Sequence, residues 1–363
     1  MSTRIVVGQG SCGLAAGAGA VYSALEEKLN GAASLSITGC IGICYLEPIV
    51  DVYAEDGTLY RCVQVKPENA ETIVNAVAQN DFSLLNDLVI KEEDAQFLSK
   101  QTRIALRHCG LINPDEIDAY TADDGYKALE KVLKTMTPEQ VIEEIKISGL
   151  GGRGGAGFPT WFKWNAARQS PGEEKYLICN ADEGDPGAFM DRAVIESDPH
   201  NLIEGMLIGA YAIGAKEAVV YVRAEYPLAI VRLTNAIKQA EEKGYLGENI
   251  LGTGFSCKMR IKAGAGAFVC GEETALLNSI EGKRGMPGFE RHCWCRGYLY
   301  HLALSVLHMS DGVDFAVEES CCTEYYMPPM DRTDNCQVEQ PIVCHCTRKL
   351  LNTSAIVATD THR

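Results

Sequence analysis

The sequence predicts an α/β protein with two successive α/β units, and three observations support this class. In residues 137–287, short strand-like segments alternate with longer helix-like ones, which is the pattern of a parallel sheet covered by helices. Residues 1–85 show the same mixture on a smaller scale. The chain has 363 residues, of which 46% are hydrophobic, and this suffices for two or three domains with ordinary cores.

The first unit, residues 1–85, is predicted to contain two helices and four strands. Val21, Leu25 and Leu29 recur every four positions, so one continuous helix is expected over 13–29. A second helix is expected over 68–79, and the strand candidates are 4–7, 34–38, 49–53 and 59–63. Residues 86–136 are expected to form a charged linker with short helices.

The second unit, residues 137–287, begins with a helix-start signal. Thr137 is followed by Pro138 and Gln140, which together form a capping box with proline at the first helical position. A helix is therefore expected from Thr137 to about Lys146. Strand candidates follow at 176–179, 218–223 and 259–262, with amphipathic helices near 200–213 and 227–243.

The net charge and the cysteine content of the chain disfavour several classes of function. The formal net charge of −16 disfavours nucleic acid and anionic membranes as partners. No apolar run reaches the roughly 18 residues of a membrane span, and the N-terminus has no signal-peptide pattern. A cytoplasmic protein is therefore expected, in which the 15 cysteines are thiols or metal ligands rather than disulfides.

A glycine-rich loop at 149–160 is the first candidate binding feature. It places six glycines in nine positions, and such a backbone can turn its amides onto a phosphate. Gly152–Gly157 matches G-x-G-x-x-G, but a Rossmann site needs a strand before this motif and here a helix precedes it. We therefore reject the Rossmann interpretation and keep an anion cradle. The alternative, a flexible linker, poorly explains why Arg153, Phe158 and Lys163 stand beside the glycines.

Two acidic blocks follow the glycine loop. Asn180 comes directly after a predicted strand, and the carboxyl ends of parallel strands are where open α/β sheets bind ligands. The acids of this block are suited to ribose hydroxyls or a nicotinamide amide, although a solvated acidic turn is the alternative: Asp182, Glu183 and Asp185.

The second block, Gly271–Glu272–Glu273, is expected to open a helix. The helix dipole favours acids at such a position, so a purely structural role is the alternative.

Three cysteines of the first unit form a candidate metal site. Cys12, Cys40 and Cys44 lie in a glycine-rich context that suits thiolate ligation of an iron–sulfur cluster. Such a cluster normally takes four cysteines, and a C-x4-C pattern would place one at position 17, which is Gly17. Cys62 is a possible fourth ligand without a spacing argument. Buried or vestigial cysteines are the alternative.

Together these blocks resemble the family of NADH-binding, FMN-containing subunits. The resemblance covers roughly residues 95–287 and rests on three ordered motifs: Gly152–Thr160 with Lys163-Trp164, Asn180–Phe189, and Gly271–Thr274. The family includes the 51-kDa (F) subunit of complex I and the diaphorase subunits of NAD(P)-linked hydrogenases and formate dehydrogenases. Residues 1–85 resemble the thioredoxin-like [2Fe-2S] ferredoxin domain of hydrogenase-type members, which makes a hydrogenase-type diaphorase the first choice.

The resemblance implies roles for individual residues. The glycine loop, Lys163 and Asn180 would hold FMN, Phe158 would stack near the nicotinamide or adenine, and Asp185 would contact the NADH ribose. The remaining residues implied at the flavin and NADH site are Gly152, Arg153, Gly154, Gly155, Gly157, Asp182, Glu183, Gly271, Glu272 and Glu273. Where the family often has Tyr, this chain has Phe268.

The implied activity is hydride transfer between NAD(P)H and FMN, followed by electron transfer to iron–sulfur centres of partner subunits. A complex I NADH-binding subunit and a non-catalytic truncated remnant are the alternatives. After Pro287 the expected flavin-contacting asparagines and the family's [4Fe-4S] cysteine motif are missing. We therefore expect residues 288–363 to be an atypical tail, which a frameshift near codon 288 would explain.

Overall fold

The computed structural model describes residues 3–152, 157–171 and 174–287. The expected atypical tail, 288–363, lies outside the described residues. Within them, the chain forms a four-stranded sheet followed by a helical segment and a three-stranded sheet. None of the described helices combines the length and the apolar character that crossing a bilayer requires.

The four-stranded sheet lies in the first unit. Its strands are β1 (Arg4–Gly8), β2 (Ser34–Thr38), β3 (Val50–Tyr53) and β4 (Leu59–Cys62), in the order β2-β1-β3-β4. β1 runs parallel to β2 and antiparallel to β3, and β3 is antiparallel to β4. The unit therefore combines one parallel and two antiparallel strand pairs, which confirms its predicted α/β class.

The helices of the first unit correct one prediction. The single helix expected over 13–29 is wrong, because the chain forms α1 (Ser11–Ala16) and α2 (Ala18–Leu29). The two are separated at Gly17, whose φ of 105° is readily adopted only by glycine. The closing helix, α3 (Ala70–Gln79), is confirmed, and α2 and α3 pack against each other over the core of the unit.

Three short helices lie between residues 86 and 136. They are α4 (Glu92–Ser99), α5 (Ile117–Thr121) and α6 (Lys127–Thr135). The buried Glu204 carboxylate accepts hydrogen bonds from the Tyr126 and Leu129 amides at 2.8 and 2.9 Å, at the start of α6. The linker is therefore fixed to the second unit rather than loosely tethered.

The second unit confirms the predicted alternation of strands and helices. Its elements are α7 (Pro138–Ser148), α8 (Thr160–Gln169), β5 (Tyr176–Ala181), α9 (Met190–Ser197), α10 (Pro199–Ile213), β6 (Glu217–Arg223), α11 (Pro227–Glu242), β7 (Lys258–Gly264) and α12 (Glu273–Ile280). The strands are parallel, in the order β5-β6-β7. Their carboxyl ends therefore meet at one edge of the sheet.

Helix α10 differs from its prediction. An amphipathic helix was expected over 200–213, but every residue of α10 except Tyr211 is buried. The helix lies between β5 and β6 on one side and α6, α7 and α8 on the other, so both of its faces are covered. A helix in the centre of a layered unit needs no polar face.

The two units contact each other directly. At the start of α1, the Ser11 amide and hydroxyl donate to the buried Glu196 carboxylate of α9, at 2.8 and 2.5 Å. Gly39 lies so close to Ser197 that an added Cβ would come within 1.8 Å of the serine hydroxyl oxygen. The start of α1 and the segment after β2 therefore pack against the end of α9.

Candidate functional site

The carboxyl edge of the three-stranded sheet gathers several of the predicted site residues. Asn180 was expected to follow β5, but it is part of the strand. Its Nδ2 donates to the Gly271 carbonyl oxygen at 3.1 Å, and its Oδ1 accepts from the Asp182 amide at 3.1 Å. Asn180 thereby holds the end of β5 next to the turn that precedes α12.

Asp182 is the buried carboxylate of this edge. Both of its side-chain oxygens are buried and have no hydrogen-bond partner among the described residues. Burial raises the pKa of Asp182 to about 6, opposed by the nearby Arg223 and reinforced by Glu225. Buried polar groups are normally paired, so a pair of unpartnered oxygens at the end of a parallel strand indicates a missing hydrogen-bond donor, such as a ligand.

Glu183, the next residue, is already engaged by the protein. Its carboxylate accepts from the Asp191 and Arg192 amides at 3.2 and 3.3 Å, in the first turn of α9. The Tyr226 hydroxyl donates to it at 3.3 Å, and burial raises its pKa. This side chain caps α9, and its part in ligand binding stays a prediction.

The turn after β5 packs against a second turn. The Asp185 carbonyl oxygen accepts from the Ala188 amide at 3.1 Å, which closes the turn. Gly184 lies against the ring of Phe268, because an added Cβ would come within 2.7 Å of the ring. Phe268 itself is exposed. Asp185 and Phe268 thus lie in neighbouring turns beside Asn180 and Asp182.

Helix α12 begins next to this edge, as the second acidic block predicted. Glu272 is its N-cap, and its carboxylate accepts from the Thr274 and Ala275 amides at 3.0 and 2.8 Å. Glu273 is the first residue of the helix. An added Cβ at Gly271 would lie 3.8 Å from an Asp182 side-chain oxygen, an ordinary van der Waals distance, so Gly271 lies next to this carboxylate. The structural role expected of an acid at this helix start is therefore met by Glu272.

The two ends of the glycine-rich loop are joined. Gly151 pairs with Pro159 in an antiparallel bridge, and the Gly152 amide donates to the Phe158 carbonyl oxygen at 2.8 Å. Gly157 has a φ of 63°, which favours glycine. Helix α7 ends at the loop and α8 begins after it, which confirms that the setting is not that of a Rossmann motif. Arg153, Gly154 and Gly155 lie outside the described residues.

Helix α8 carries the basic residue predicted beside this loop. The Lys163 Nζ atom lies 5.6 Å from the centroid of the Phe158 ring. Thr160 and Trp164 are fully buried, and the Thr160 hydroxyl and the Trp164 indole nitrogen have no hydrogen-bond partner in the described part of the chain. Trp164 also packs close to Gly209 of α10, which connects α8 to the layer beneath it.

Arg223 was not singled out from the sequence. It ends β6, donates to the Glu183 carbonyl oxygen at 2.6 Å and to the Glu225 carboxylate at 2.7 Å, and opposes the rise in the pKa of Asp182. Its position as the last residue of the predicted strand 218–223 is the signal that would have identified it, because adjacent parallel strands end at the same edge.

The three predicted cysteines come together in the first unit. The sulfur atoms of Cys12, Cys40 and Cys44 all lie within 4.8 Å of one another, and those of Cys40 and Cys44 are 3.5 Å apart. Hydrogen bonds from Cys12 and Cys40 lower the pKa of Cys44, whereas the pKa values of Cys12 and Cys40 are raised. Cys62 is buried in β4 among core residues and is not part of this group.

The parallel pairing of β1 and β2 explains why Cys12 and Cys40 lie close together. Cys12 lies in the first turn of α1, directly after β1, and Cys40 follows β2, which is paired with β1 in parallel. Both cysteines therefore reach the same end of the sheet. Gly10 permits the close approach, because an added Cβ would come within 2.9 Å of the Cys40 Cβ.

Comparisons with known proteins support the resemblance over the second unit. Residues 145–301 match the Nuo51 FMN-binding domain family. The chain is 62% identical over 188 residues to the HndC subunit of the NADP-reducing hydrogenase of Solidesulfovibrio fructosivorans. It is also similar to the F subunits of two NADH-quinone oxidoreductases, with 57% identity over 171 residues for Aquifex aeolicus and 45% over 175 residues for Escherichia coli.

These matches cover part of each protein. They include 52, 47 and 48% of this chain, and 38, 40 and 39% of the three relatives. The chain therefore spans less than half the length of the curated relatives it matches. Among solved structures, an air-oxidised NAD+-reducing [NiFe]-hydrogenase aligns with 83% of this chain and 49% of its own, at 25% identity and a TM-score of 0.42.

The family match begins inside α7 and continues through the glycine loop, the Asn180–Asp182 edge and α12. It therefore includes every residue of the flavin and NADH site that the sequence predicted. Through residues 145–301, the chain is therefore similar to the Nuo51 FMN-binding domain family.

Proposed function

We propose that this chain is an NAD(P)H dehydrogenase (diaphorase) subunit that binds FMN and NAD(P)H at the carboxyl edge of the β5-β6-β7 sheet. The observation that supports it best is the unpartnered, buried carboxylate of Asp182, which lies inside the segment that matches the Nuo51 FMN-binding domain. A polar ligand that donates hydrogen bonds would satisfy these oxygens, and both the isoalloxazine ring and the nicotinamide amide carry such donors.

We further propose how the predicted residues would bind the flavin and the nicotinamide. We assign the phosphate of FMN to the glycine loop, with Lys163 as the cation on the following helix, and the flavin ring to Asn180 and Asp182. Phe158 and Asp185 are assigned to NAD(P)H. When bound, FMN supplies the capacity to accept a hydride and release single electrons, while the protein binds and orients both molecules.

A hydrogenase-type assembly is the first choice for the partner subunits. One relative with high identity is named a subunit of an NADP-reducing hydrogenase, whereas others are F subunits of NADH-quinone oxidoreductases. We propose that electrons pass from this chain to iron–sulfur centres of such a hydrogenase, and keep formate dehydrogenase and complex I-like assemblies as alternatives. A cytoplasmic location is part of the same proposal.

The first unit contributes a second proposed cofactor. We assign a [2Fe-2S] cluster to Cys12, Cys40 and Cys44, because their sulfur atoms lie within 4.8 Å of one another. This assignment is independent of the flavin site, since iron content and flavin content are measured separately.

Titration of the flavin-free full chain with FMN, followed by quenching of flavin fluorescence, tests the flavin proposal. We expect saturable binding of one FMN per chain. Asp182→Ala should weaken it, whereas Asp87→Ala, which changes an exposed aspartate at the start of the linker, should leave it unchanged. Absence of saturable binding in the parent chain would contradict the proposal and favour a non-catalytic remnant.

A further inference from the structure

The cysteine group of the first unit is one ligand short of a complete cluster. Clusters of the [2Fe-2S] type take four protein ligands, whereas three cysteines converge here. Gly17, at the position where a C-x4-C pattern would supply the fourth, lies at the break between α1 and α2 and has no side chain. Among the described residues, a fourth donor would therefore have to be a residue of another type, or a residue from another part of the chain.

Glu47 is placed to be that donor. Its Oε1 atom lies 3.7 Å from the Cys12 sulfur atom, which donates a hydrogen bond to it. Its Oε2 atom accepts from the Ile49 amide at 2.8 Å, so the carboxylate is held in position by the backbone. The residue is only 7% exposed, and it follows Cys44 by three positions on the segment that carries Cys40 and Cys44.

The backbone around Glu47 is shaped to admit its carboxylate. Added Cβ atoms at Gly8 and Gly13 would come within 3.3 and 3.2 Å of its side-chain oxygens. Both glycines belong to the β1–α1 region that also carries Cys12. A buried carboxylate is costly unless a hydrogen-bond donor or a cation compensates it, and a metal centre provides the stronger compensation.

Three other potential ligands in the described part of the first unit and linker have different surroundings. Cys62 lies in the hydrophobic core of the sheet. The Cys109 thiol points to the Ala193 carbonyl oxygen, at 3.9 Å. Asp51 forms a two-fold hydrogen-bonded pair with Arg61, at 2.8 and 2.7 Å. Among these candidates, Glu47 alone contacts a member of the cysteine group.

We propose that Glu47 supplies the fourth ligand, so that the cluster of this unit is held by three thiolates and one carboxylate. The chemistry is reasonable, because histidines replace two cysteines in Rieske centres and carboxylates are regular ligands of protein-bound iron. On loading, the cysteines and Glu47 bind as anions, and the thiol protons are released to solvent. The proposal rests on the cluster assignment made above and is separate from the flavin site.

The test uses the full chain, reconstituted anaerobically with ferric iron and sulfide, which together supply the oxidised [2Fe-2S] cluster without a further oxidant. Iron and acid-labile sulfide per chain, visible absorption and the EPR spectrum after dithionite reduction are compared for the parent, Glu47→Ala, Glu47→Gln and Glu47→Cys. Glu55→Ala, which removes an exposed carboxylate in the turn between β3 and β4, is the control. Circular dichroism establishes that each variant is folded.

We expect Glu47→Ala to hold iron at least about ten-fold more weakly than the parent, as is typical when a metal site loses a ligating or supporting residue. Glu47→Cys should retain iron with a stronger charge-transfer absorption and an altered EPR spectrum, because a thiolate replaces an oxygen ligand. If Glu47→Ala does not fold, the comparison of Glu47→Cys with the parent decides.

Two results would overturn the proposal. Identical absorption and EPR spectra for the parent and Glu47→Cys would show that residue 47 does not bind the cluster. A parent chain that takes up no iron would refute both the cluster and its fourth ligand. In that case, FMN binding by the same preparation would show that the proposed flavin function stands.

Discussion

Asp182 shows how a single residue connects stability with function. Its carboxylate is buried at a sheet edge without a partner among the described residues, and burial raises its pKa to about 6. The sequence predicted its neighbourhood, because Asn180 and Asp182 stand where a predicted strand ends. It did not distinguish the unpartnered Asp182 from Glu183, whose carboxylate caps α9, because that difference depends on backbone amides eight and nine residues downstream.

The raised pKa of Asp182 predicts a pH effect on the ligand-free chain. A carboxyl whose pKa is higher in the folded state than in the unfolded state binds protons more tightly when folded, so stability falls as pH rises from about 4 to 6 and stays low above. The rise of about two pKa units lowers the free energy of unfolding by about 3 kcal/mol at pH 7.

Asp182→Asn removes the charge and keeps the shape. In urea unfolding at about pH 7, we expect the ligand-free variant to be more stable than the parent by up to about 3 kcal/mol, with the difference shrinking towards about pH 4. Asp87→Asn makes the same chemical change at an exposed site and serves as the control. If the variant were less stable than the parent at pH 7, favourable interactions in the folded state would have to stabilise the ionised Asp182 carboxylate.

Lys163 is predicted to retain FMN rather than to take part in hydride transfer. Lys163→Ala should weaken FMN binding by about 10- to 100-fold, the usual effect of losing one charged hydrogen bond. The rate of reduction per bound flavin should stay near that of the parent. Lys131→Ala, at an exposed position on α6, is the control. Full flavin content after dialysis of Lys163→Ala would contradict this role.

At the scale of elements, the sequence predicted a helix start that has a local motif more accurately than a helix break or a short helix that has none. The Thr137 capping box is present, with the Thr137 hydroxyl and the Gln140 side chain exchanging bonds with each other's backbone amides. The break at Gly17 was missed, because the apolar repeat continues through it and only the backbone conformation of Gly17 separates α1 from α2. Helix α9 was not predicted, because it has only eight residues and the acceptor of its first amides, Glu183, lies outside the helix.

The capping box gives a prediction for α7. Thr137→Ala should lower the free energy of unfolding by about 1 kcal/mol, because the Gln140 amide loses its acceptor. Thr137→Ser keeps the hydroxyl and should restore most of that loss. Chemical denaturation of the three proteins measures the difference, and equal stabilities for all three would show that the cap contributes nothing.

At the scale of the whole molecule, the two α/β units are packed together through the cysteine region. Glu196 accepts two hydrogen bonds from Ser11, next to Cys12, and Gly39, next to Cys40, packs against Ser197. The α9 helix that makes these contacts begins at the turn after β5, close to Asp182 and Glu183. The sequence predicted two units but not their contact, because a contact between segments 185 residues apart in sequence leaves no local pattern.

This packing predicts that Gly39→Ala is destabilising. An added methyl group would overlap the Ser197 side chain, and such overpacking costs about 1–3 kcal/mol. Gly19→Ala, in α2, meets only one side-chain atom at 3.9 Å and should be neutral or stabilising. Thermal unfolding compares the two variants with the parent, and equal melting temperatures for Gly39→Ala and the parent would contradict the close contact.

The most direct test of the account is an anaerobic visible spectrum of the full chain, supplied with FMN and freed of excess flavin, before and after addition of NADH or NADPH. We predict a flavin band that co-purifies with the chain and is bleached by at least one of the two nucleotides. A bound flavin that neither nucleotide bleaches, while dithionite does, would contradict the proposed NAD(P)H dehydrogenase function.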